Sequence, residues 1–357
     1  MEIYFFVWML IIGCVLYLHI GKFNNMLYTT CFGSLFLISA LRFNVGMDYR
    51  SYLKVYYFIE TSVNEPGYYW LVELTRQMDL GGQAVLIVYA AVTMLLAKKT
   101  LVSESRDPML SCFLFFSFMP FFFMSMNAVR QCLAVYVFFF AIRYIQQREW
   151  KKYYTCILLG ILFGHFTLCI ALPLYFVLQR RLSLKTKLIL SAIVLGSGSL
   201  VIMAAQYSRY AIYLLVYETA STQSEAAGTP ILIVFEMVVS VILYVSTRYQ
   251  IKHLVYRNMN FFFLLITLFG VINSNNVLST LVPRFAWYFM PAFLVLIPDY
   301  VYGCGKRFYQ VKWAMMLCGF SIVLWWSLLD HGEINNLVPY QTFLTEDLQR
   351  FASYGWK

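Results

Sequence analysis

The chain has 357 residues, of which 61% are hydrophobic and 12% are charged. A soluble domain normally carries about 25% charged residues, so this composition excludes an ordinary soluble protein and indicates a polytopic membrane protein. The formal net charge of +10 does not indicate nucleic-acid binding, because the basic residues form short clusters between apolar runs, as in the loops of membrane proteins.

Apolar runs recur along the whole chain, and a run of roughly 20 apolar residues is long enough to span a bilayer as a helix. The pattern predicts an all-α fold with about ten spanning helices in a single membrane domain, residues 1–357. The first run lacks a basic start and a small-residue cleavage site, so we expect it to remain as a helix. The candidate spans are 2–20, 26–41, 82–97, 109–126, 128–145, 187–206, 229–247, 259–274, 284–303 and 313–330.

The run 153–179 differs from the others because "FGHFT" interrupts it. A single helix here would put two strongly basic loops on opposite sides of the membrane, against the positive-inside bias. We therefore predict two short helices, 153–164 and 166–178, that enter and leave on the same side with His165 at the turn. Every basic cluster then falls on the cytoplasmic face, and both termini lie outside. The predicted outer connections are 42–81, 207–228 and the tail 331–357.

The first outer connection holds two aromatic stretches, "GMDYRSYLKVYYFIE" and "EPGYYWLVELTRQMDL". Both have helical spacing of their aromatic residues, and the second carries Glu73, Arg76 and Gln77 on one face. That stretch is too polar to span. We predict amphipathic helices on the periplasmic side that lie at the membrane interface or line a cavity.

Arg130 lies in one of the most apolar parts of the chain, "SMNAVRQCLAVYVFFF". A charge at membrane depth is costly, so one that persists usually faces a cavity or a partner. We expect Asn127 or Ser125 to cap the helix and Arg130 to occupy its first turn, where free N–H groups and the macrodipole favour an anion. The alternative is a structural arginine that reaches lipid headgroups or pairs with an acid of the outer connections: Asp48, Glu65 or Glu218.

Arg284 repeats this arrangement, because it follows Pro283, a residue favoured in the first turn of a helix. Two arginines at two outer helix starts predict a phosphate or pyrophosphate site, since the guanidinium can bind phosphate through two parallel hydrogen bonds. Arg42 is a third candidate. It ends an outward-running helix, where the dipole favours a cation, so a structural role is at least equally open.

Three further residues are candidates for acid–base chemistry or substrate binding. Asp48 either caps a helix or acts as a general base beside Tyr49. Glu65 precedes a proline, so we expect an extended conformation at a helix start, where the dipole alone favours a carboxylate. His165 has a structural hydrogen-bonding role or a ligand-binding or acid–base role, because irregular backbone at membrane depth must be buried in protein or line a cavity.

The eight cysteines show no C-x-x-C spacing and the four histidines show no H-x-x-x-H pattern. The sequence therefore predicts no protein-bound metal and no other cofactor.

Six stretches of the chain resemble, in order and spacing, the EpsG family of bacterial exopolysaccharide proteins, which are related to the Wzy O-antigen and capsule polymerases. They are "RFNVGMDYRSYL", "NEPGYYWLVEL", "MNAVRQCLAVYVFFFAIRYI", "FGHFTLCIALPLYF", "RFAWYF" and "NLVPY".

The resemblance implies a metal-independent, GT-C-like glycosyltransferase of the bacterial inner membrane whose site faces the periplasm. Such a polymerase moves a growing glycan from undecaprenyl pyrophosphate to the sugar of a lipid-linked repeat unit. The partners implied are undecaprenyl-pyrophosphate-linked glycans, membrane lipids and a polysaccharide co-polymerase that sets chain length, with no nucleic acid.

Site residues carried over by the resemblance fall into three groups. Asp48 and His165 would be catalytic, without a certain assignment of the base. The pyrophosphate would be bound by Arg130, Arg284 and Arg42. Substrate contacts would come from four residues: Glu65, Tyr49, Gln131 and Tyr340.

Three other functions remain open at this point. A flippase or exporter of lipid-linked oligosaccharide would also place arginines in a cavity, but it needs no general base. A glycan acyltransferase, or a GT-C enzyme that uses a polyprenyl-monophosphate sugar, would need only one arginine in its site. A non-enzymatic scaffold for polysaccharide assembly would leave the buried arginine and histidine without a purpose.

Overall fold

The computed structural model describes residues 1–20, 23–58, 65–197, 230–246, 254–273, 278–303, 306–333 and 335–345. The predicted loop 207–228, the end of the predicted span 187–206 and the last residues of the tail lie outside this described part. The helices are α1 (Glu2–Ile20), α2 (Asn25–Leu41), α3 (Tyr49–Phe58), α4 (Pro66–Gln77), α5 (Gly82–Glu104), α6 (Pro108–Ser117), α7 (Phe122–Asn127), α8 (Val129–Gln146), α9 (Trp150–Phe163), α10 (Leu174–Leu178), α11 (Leu184–Gly196), α12 (Pro230–Ser246), α13 (Leu254–Ile272), α14 (Leu278–Ala286), α15 (Phe293–Gly303) and α16 (Lys306–His331).

The all-α class predicted from the sequence is confirmed. Three helices of the described part are long and apolar enough to cross a membrane: Gly82–Glu104, Leu254–Ile272 and Tyr309–His331. Shorter apolar helices or parts of helices accompany them: Glu2–Leu18, Asn25–Leu41, Pro108–Ser117, Ile231–Ser246 and Met290–Gly303. The total number of spanning helices and the GT-C-like arrangement stay predictions.

Several helix starts follow from capping side chains. The Asn24 side-chain oxygen accepts hydrogen bonds from the backbone N–H groups of Met26 at 2.8 Å and Leu27 at 3.3 Å, and so begins α2. The Asp107 carboxylate begins α6 in the same way, by accepting a hydrogen bond from the Leu110 N–H at 3.0 Å. Each cap satisfies backbone donors that the first turn of a helix leaves without an intrahelical partner.

Two of the predicted spans are interrupted. The run 109–126 forms α6 and α7, because the chain turns between them at Phe118, whose backbone is extended, and at Pro120. Helix α6 ends before Pro120, because a proline has no backbone N–H to donate and disfavours the helical conformation of the residue before it. The run 284–303 likewise divides into the end of α14, a 3₁₀ turn at Met290–Ala292 that contains Pro291, and α15.

The break predicted at His165 is present. Helix α9 ends at Phe163, and His165 begins a 3₁₀ helix, Phe166–Ala171. The Tyr153 hydroxyl, near the start of α9, donates to the Ala171 carbonyl at 2.6 Å. The chain therefore reverses at His165. The second predicted helix, 166–178, is wrong in detail: Pro173 separates the 3₁₀ helix from α10, since proline cannot supply a helical N–H bond.

Packing divides the chain into two compact units, residues 1–173 with 297–357, and residues 174–296. This division does not test the prediction of a single membrane domain, which stays a prediction. In the first unit α8 packs against α5, α7 and α9, and α4 packs against α3, α5 and α9. A tyrosine-rich core joins these helices, with Tyr49, Tyr52, Tyr68 and Tyr89 all buried.

The tail after α16 packs back onto the first unit. Two residues, Gln341–Thr342 (β2), pair antiparallel with Arg42–Phe43 (β1). The Asn336 side chain donates to the Asn44 carbonyl at 2.6 Å. The Asn336 carbonyl accepts from the Gly46 N–H at 2.7 Å. These contacts fix the loop between α2 and α3, which leads to Asp48.

In the second unit α13 packs against α10, α11, α12 and α14. Ser240 of α12 and Asn260 of α13 exchange hydrogen bonds, with the Asn260 amide donating to the Ser240 carbonyl at 2.8 Å. The Asn258 amide donates to the Leu178 and Arg180 carbonyls, both at 2.9 Å. Buried polar pairs of this kind join helices where apolar burial alone does not discriminate between partners.

Candidate functional site

Arg130 is the second residue of α8, so the first-turn position predicted from the sequence is confirmed. The capping prediction is wrong. Ala128 precedes the helix and supplies no side-chain bond. Asn127 instead accepts from the Met47 N–H at 2.9 Å, and Ser125 donates to the Phe122 carbonyl of its own short helix. The N-terminus of α8 therefore carries no capping carboxylate, amide or hydroxyl from its own flank.

The Arg130 guanidinium forms an ion pair with the Glu65 carboxylate. Glu65 is only 3% exposed, and the Arg130 side chain is 23% exposed. The acid is thus buried beneath the arginine, and the arginine is the more accessible of the two. Glu65 is one of the acidic partners that the sequence leaves open for Arg130.

Glu65 has the extended backbone that its place before Pro66 predicts, with φ −96° and ψ 110°. Its side chain makes no capping bond to α4. The carboxylate is therefore not used to start its own helix, and it points to Arg130 and His165 instead. The helix-dipole explanation for Glu65 does not account for that orientation.

Two tyrosines form an aromatic wall beside the ion pair. The Arg130 guanidinium carbon lies 5.1 Å from the Tyr68 ring centre and 5.8 Å from the Tyr52 ring centre, within cation–π range. The Arg130 backbone N–H, free of an intrahelical partner, lies 3.5 Å from the Tyr52 hydroxyl. Burial raises the pKa of Tyr52 and of Tyr68 above the ordinary value, with the Arg130 charge acting in the opposite direction, so both are neutral phenols.

His165 lies on the other side of Glu65. Its Nε2 atom is 3.8 Å from Glu65 Oε1. Its Nδ1 atom accepts from the Thr167 N–H at 3.3 Å, which caps the 3₁₀ helix. Nδ1 also lies 2.8 Å from the Thr167 hydroxyl. One neutral tautomer donates from Nδ1 to that hydroxyl, and the other directs its Nε2–H to the carboxylate.

Close backbone approaches bring these residues together. A Cβ on Gly67 would lie 2.6 Å from the Leu162 carbonyl oxygen, so only glycine lets the start of α4 reach the end of α9. A Cβ on Gly164 would lie 3.0 Å from the Ala134 backbone nitrogen of α8. The Tyr89 hydroxyl of α5 also donates to the Phe163 carbonyl. These contacts hold Glu65, His165 and Arg130 at one point.

Two donors beside the pair are buried and have no hydrogen-bond partner: the Arg130 Nε–H and the Tyr68 hydroxyl. Buried donors are normally satisfied by protein, water or ligand. Arg130 also retains N–H groups beyond the one bonded to Glu65, since a guanidinium has five. The arrangement can therefore donate hydrogen bonds to the oxygen atoms of an anion without losing the Glu65 pair.

Asp48 lies just before α3 and is exposed. The Asp48 charge interacts with Tyr52 and with Cys132 of α8. Asp48 therefore lies near the tyrosine whose ring the Arg130 guanidinium contacts. The Tyr52 N–H donates to the Asp48 carbonyl at 3.1 Å. Asp48 thus has the helix-start position that the structural interpretation predicts, at the edge of the cluster of Arg130, Glu65 and His165.

The family comparison matches residues 25–342 of the chain to the EpsG family. The chain belongs to the EpsG family. Neither the comparison with curated proteins nor the comparison with solved structures gave a match. The EpsG family is associated with Wzy-like polymerases, which supports a glycosyltransferase-like role in polysaccharide polymerisation in general terms.

In this EpsG-family chain Arg284 is not in a first turn. It lies in the last turn of α14, because the residues before Pro283 already form a helix and the proline does not mark its start. A cation at a helix C-terminus is favoured by the dipole, so the anion-site argument from a helix start does not apply to Arg284. Arg130 and Arg284 belong to different units, and a clamp made of both stays a prediction.

Arg42 is 1% exposed, and one guanidinium nitrogen donates to the Ser39 hydroxyl at 3.2 Å. Burial lowers its pKa to about 10, while the phenols of Tyr49, Tyr52, Tyr4 and Tyr340 act to raise it. This burial supports the structural interpretation of Arg42, but its buried Nε–H, like that of Arg130, has no hydrogen-bond partner. Pyrophosphate binding by Arg42 stays a prediction.

Tyr49 and Tyr340 are engaged with protein acceptors. The Tyr49 hydroxyl donates to Gln83 Oε1 at 2.8 Å, and the Tyr340 hydroxyl donates to the Ile38 carbonyl at 2.8 Å. Gln131, the next residue after Arg130, is buried in α8. Substrate binding by these three residues stays a prediction.

Several residues that shape the site carry no distinct signal in the sequence: Tyr68, Tyr89, Gly67, Gln83 and Thr167. Tyr68 was visible only as one member of an aromatic run. Gln83 donates to the Ala40 carbonyl at 2.7 Å and to the Arg42 carbonyl at 3.2 Å, a role that no spacing in the sequence indicates.

Proposed function

We propose that the chain is a polysaccharide polymerase of the bacterial inner membrane. It moves the growing glycan from undecaprenyl pyrophosphate to the sugar of an undecaprenyl-pyrophosphate-linked repeat unit on the periplasmic side. The observation that carries this proposal is the Arg130 guanidinium in the first turn of α8, fixed by Glu65 with His165 on the same carboxylate. Membership of the EpsG family supports it.

In this reaction an acceptor hydroxyl forms a bond to the anomeric carbon of the growing glycan, and the bond from that carbon to the pyrophosphate oxygen breaks. The bonding electrons move to the pyrophosphate. The Arg130 guanidinium and the positive end of the α8 dipole stabilise the charge that develops there. The aromatic surface formed by Tyr52 and Tyr68 suits the apolar face of a sugar ring.

The proton of the acceptor hydroxyl needs a base. We propose His165: when its Nδ1–H donates to the Thr167 hydroxyl, 2.8 Å away, Nε2 has the lone pair that accepts the proton, and the resulting imidazolium faces the Glu65 carboxylate. Asp48, at the edge of the site, is the alternative. GT-C architecture, metal independence and a chain-length partner belong to the same proposal.

A test in cells uses Arg130→Ala. The proposal expects loss of long-chain polymer while single repeat units are still exported and attached, because transport does not depend on this site. Arg76→Ala is a matched control, since its guanidinium also lies over a tyrosine ring, 5.9 Å from Tyr56, outside the site. Normal long chains in Arg130→Ala cells would overturn the assignment, and loss of single-repeat export would favour a flippase.

A further inference from the structure

Helix α4 has a buried side and an exposed side, and both carry large apolar residues. On the buried side, Tyr68 belongs to the tyrosine-rich core and contacts Arg130. On the exposed side, Trp70 and Leu74 are each more than half exposed, and so is Met78, which follows the last helical residue. One short helix therefore contributes to the site around Arg130 and also presents large apolar side chains outward.

The exposed side of α4 faces the same way as its contact with α9. Residues three or four positions apart lie on one face of a helix, and this spacing relates Gly67, Trp70, Leu74 and Met78. A Cβ on Gly67 would lie 2.6 Å from the Phe163 ring at the end of α9. The face with the exposed apolar side chains is therefore the face that α4 turns toward the end of α9.

The helices at both ends of α4 expose apolar side chains of their own. Leu159 and Phe163 are exposed along α9. Residues 78–81 connect α4 to α5, which is long and apolar enough to cross a membrane and exposes Val88 and Val92. Helix α4 thus runs from the end of α9 to the beginning of α5. Its exposed face begins where the exposed face of α9 ends, so the two form one continuous apolar surface.

The composition of this surface matches a membrane–water interface. Trp70 and its neighbour Tyr69 are exposed, and these two residue types are enriched at the headgroup level of membrane proteins. Glu73 and Gln77 flank the apolar face, and the Gln77 amide donates to the Glu73 carboxylate at 3.2 Å. An apolar face with aromatic residues and a polar flank is typical of a helix that lies in the plane of the interface.

We propose that α4 docks on the lipid surface, with Trp70, Leu74 and Met78 at the boundary between headgroups and acyl chains. The apolar face of such a helix lies about 5–10 Å into that boundary. Glu65 directly precedes α4, and its carboxylate pairs with Arg130, so docking fixes the depth of the site relative to the membrane. The docking does not depend on the proposed reaction. Given that reaction, it sets the guanidinium at the level of phosphates attached to membrane lipids.

Spin-label accessibility tests the docking without an enzymatic readout. The full chain, with Leu74→Cys in a background from which the native cysteines have been removed, is labelled with a nitroxide and reconstituted in liposomes of phosphatidylglycerol and phosphatidylethanolamine. Oxygen concentrates among acyl chains and a nickel chelate stays in water, so the two collision rates report the depth of the label. Position 74 is expected to be severalfold more accessible to oxygen than to the chelate. Met78→Cys should give the same result independently.

Ser51→Cys is the matched control, because Ser51 is exposed in α3 of the same outer connection and should be more accessible to the chelate than to oxygen. Melting temperatures equal to that of the cysteine-free parent confirm that the labelled proteins are folded. A preference of positions 74 and 78 for the chelate would place the face in water and overturn the proposal. Low accessibility of both positions to both reagents would also overturn it, because a second copy of the chain would then cover the face.

Discussion

The Glu65 carboxylate and the Arg130 guanidinium form an ion pair across 65 positions of sequence. The acid is 3% exposed and the arginine 23% exposed. The pair therefore joins the loop before α4 to the first turn of α8, and it presents the arginine rather than the acid to the outside of the site. Every functional proposal for Arg130 depends on this contact.

The first prediction concerns the energy of that pair. Glu65→Gln and Arg130→Gln should each lower the melting temperature, because removal of one partner leaves a buried or half-buried group without its counter-charge. The double variant should be less destabilised than the sum of the two single variants, with a coupling of about 1–3 kcal/mol. Thermal unfolding of the four purified proteins measures this. Additive effects would show that the two side chains do not interact.

The second prediction separates the two nitrogens of His165. His165→Asn keeps a capping oxygen for the Thr167 N–H but removes the group that faces Glu65. His165→Ala removes both. We expect the alanine variant to lose about 1 kcal/mol more stability than the asparagine variant, while both lose most polymerising activity. Full activity of His165→Asn would limit His165 to a capping role.

The third prediction tests the close approach at Gly67. An added Cβ would meet the Leu162 carbonyl oxygen and the Phe163 ring, both at 2.6 Å. Gly67→Ala should therefore move α4 away from α9, lower the melting temperature and reduce activity by separating Glu65 from His165. Gly33→Ala is the control, because nothing lies within 4 Å of a Cβ at that helical position. Equal stability of the two variants would contradict the packing described.

The fourth prediction tests the direction of insertion. A cysteine introduced at the exposed position Lys185, in a background from which the native cysteines have been removed, should react with a membrane-impermeant maleimide only after the inner membrane is opened. The reason is the prediction that the break at His165 returns the chain to the cytoplasmic side, so that the basic cluster of residues 180–187 lies there. Labelling of intact spheroplasts would place that loop outside and reverse the topology.

Some features of the site could be predicted because their causes are local. The first-turn position of Arg130 follows from the apolar run that begins just before it, and the extended conformation of Glu65 follows from Pro66. The chain reversal at His165 was predicted by combining an interrupted apolar run with the distribution of basic residues. In each case a few neighbouring residues contain the signal.

Other features depend on tertiary contacts that no spacing encodes. The Glu65–Arg130 pair requires α4 to reach α9 at Gly67, and the burial of Arg42 requires the tail strand Gln341–Thr342 to pack beside it. The error at Arg284 has another origin. A proline inside a helix was interpreted as its first residue, because the preceding polar residues gave no sign that α14 had already begun.

The central claim is that Arg130 serves polymerisation of a lipid-linked glycan. Its most direct test is incubation of the purified full-length protein, reconstituted in liposomes, with an undecaprenyl-pyrophosphate-linked repeat unit, followed by measurement of glycan chain length and of released undecaprenyl pyrophosphate. The wild type should produce long chains with one released pyrophosphate lipid for each bond formed, and Arg130→Ala should produce neither. Chains of wild-type length from the folded Arg130→Ala protein, or no polymer from the folded wild type in the presence of its natural repeat unit, would contradict the account.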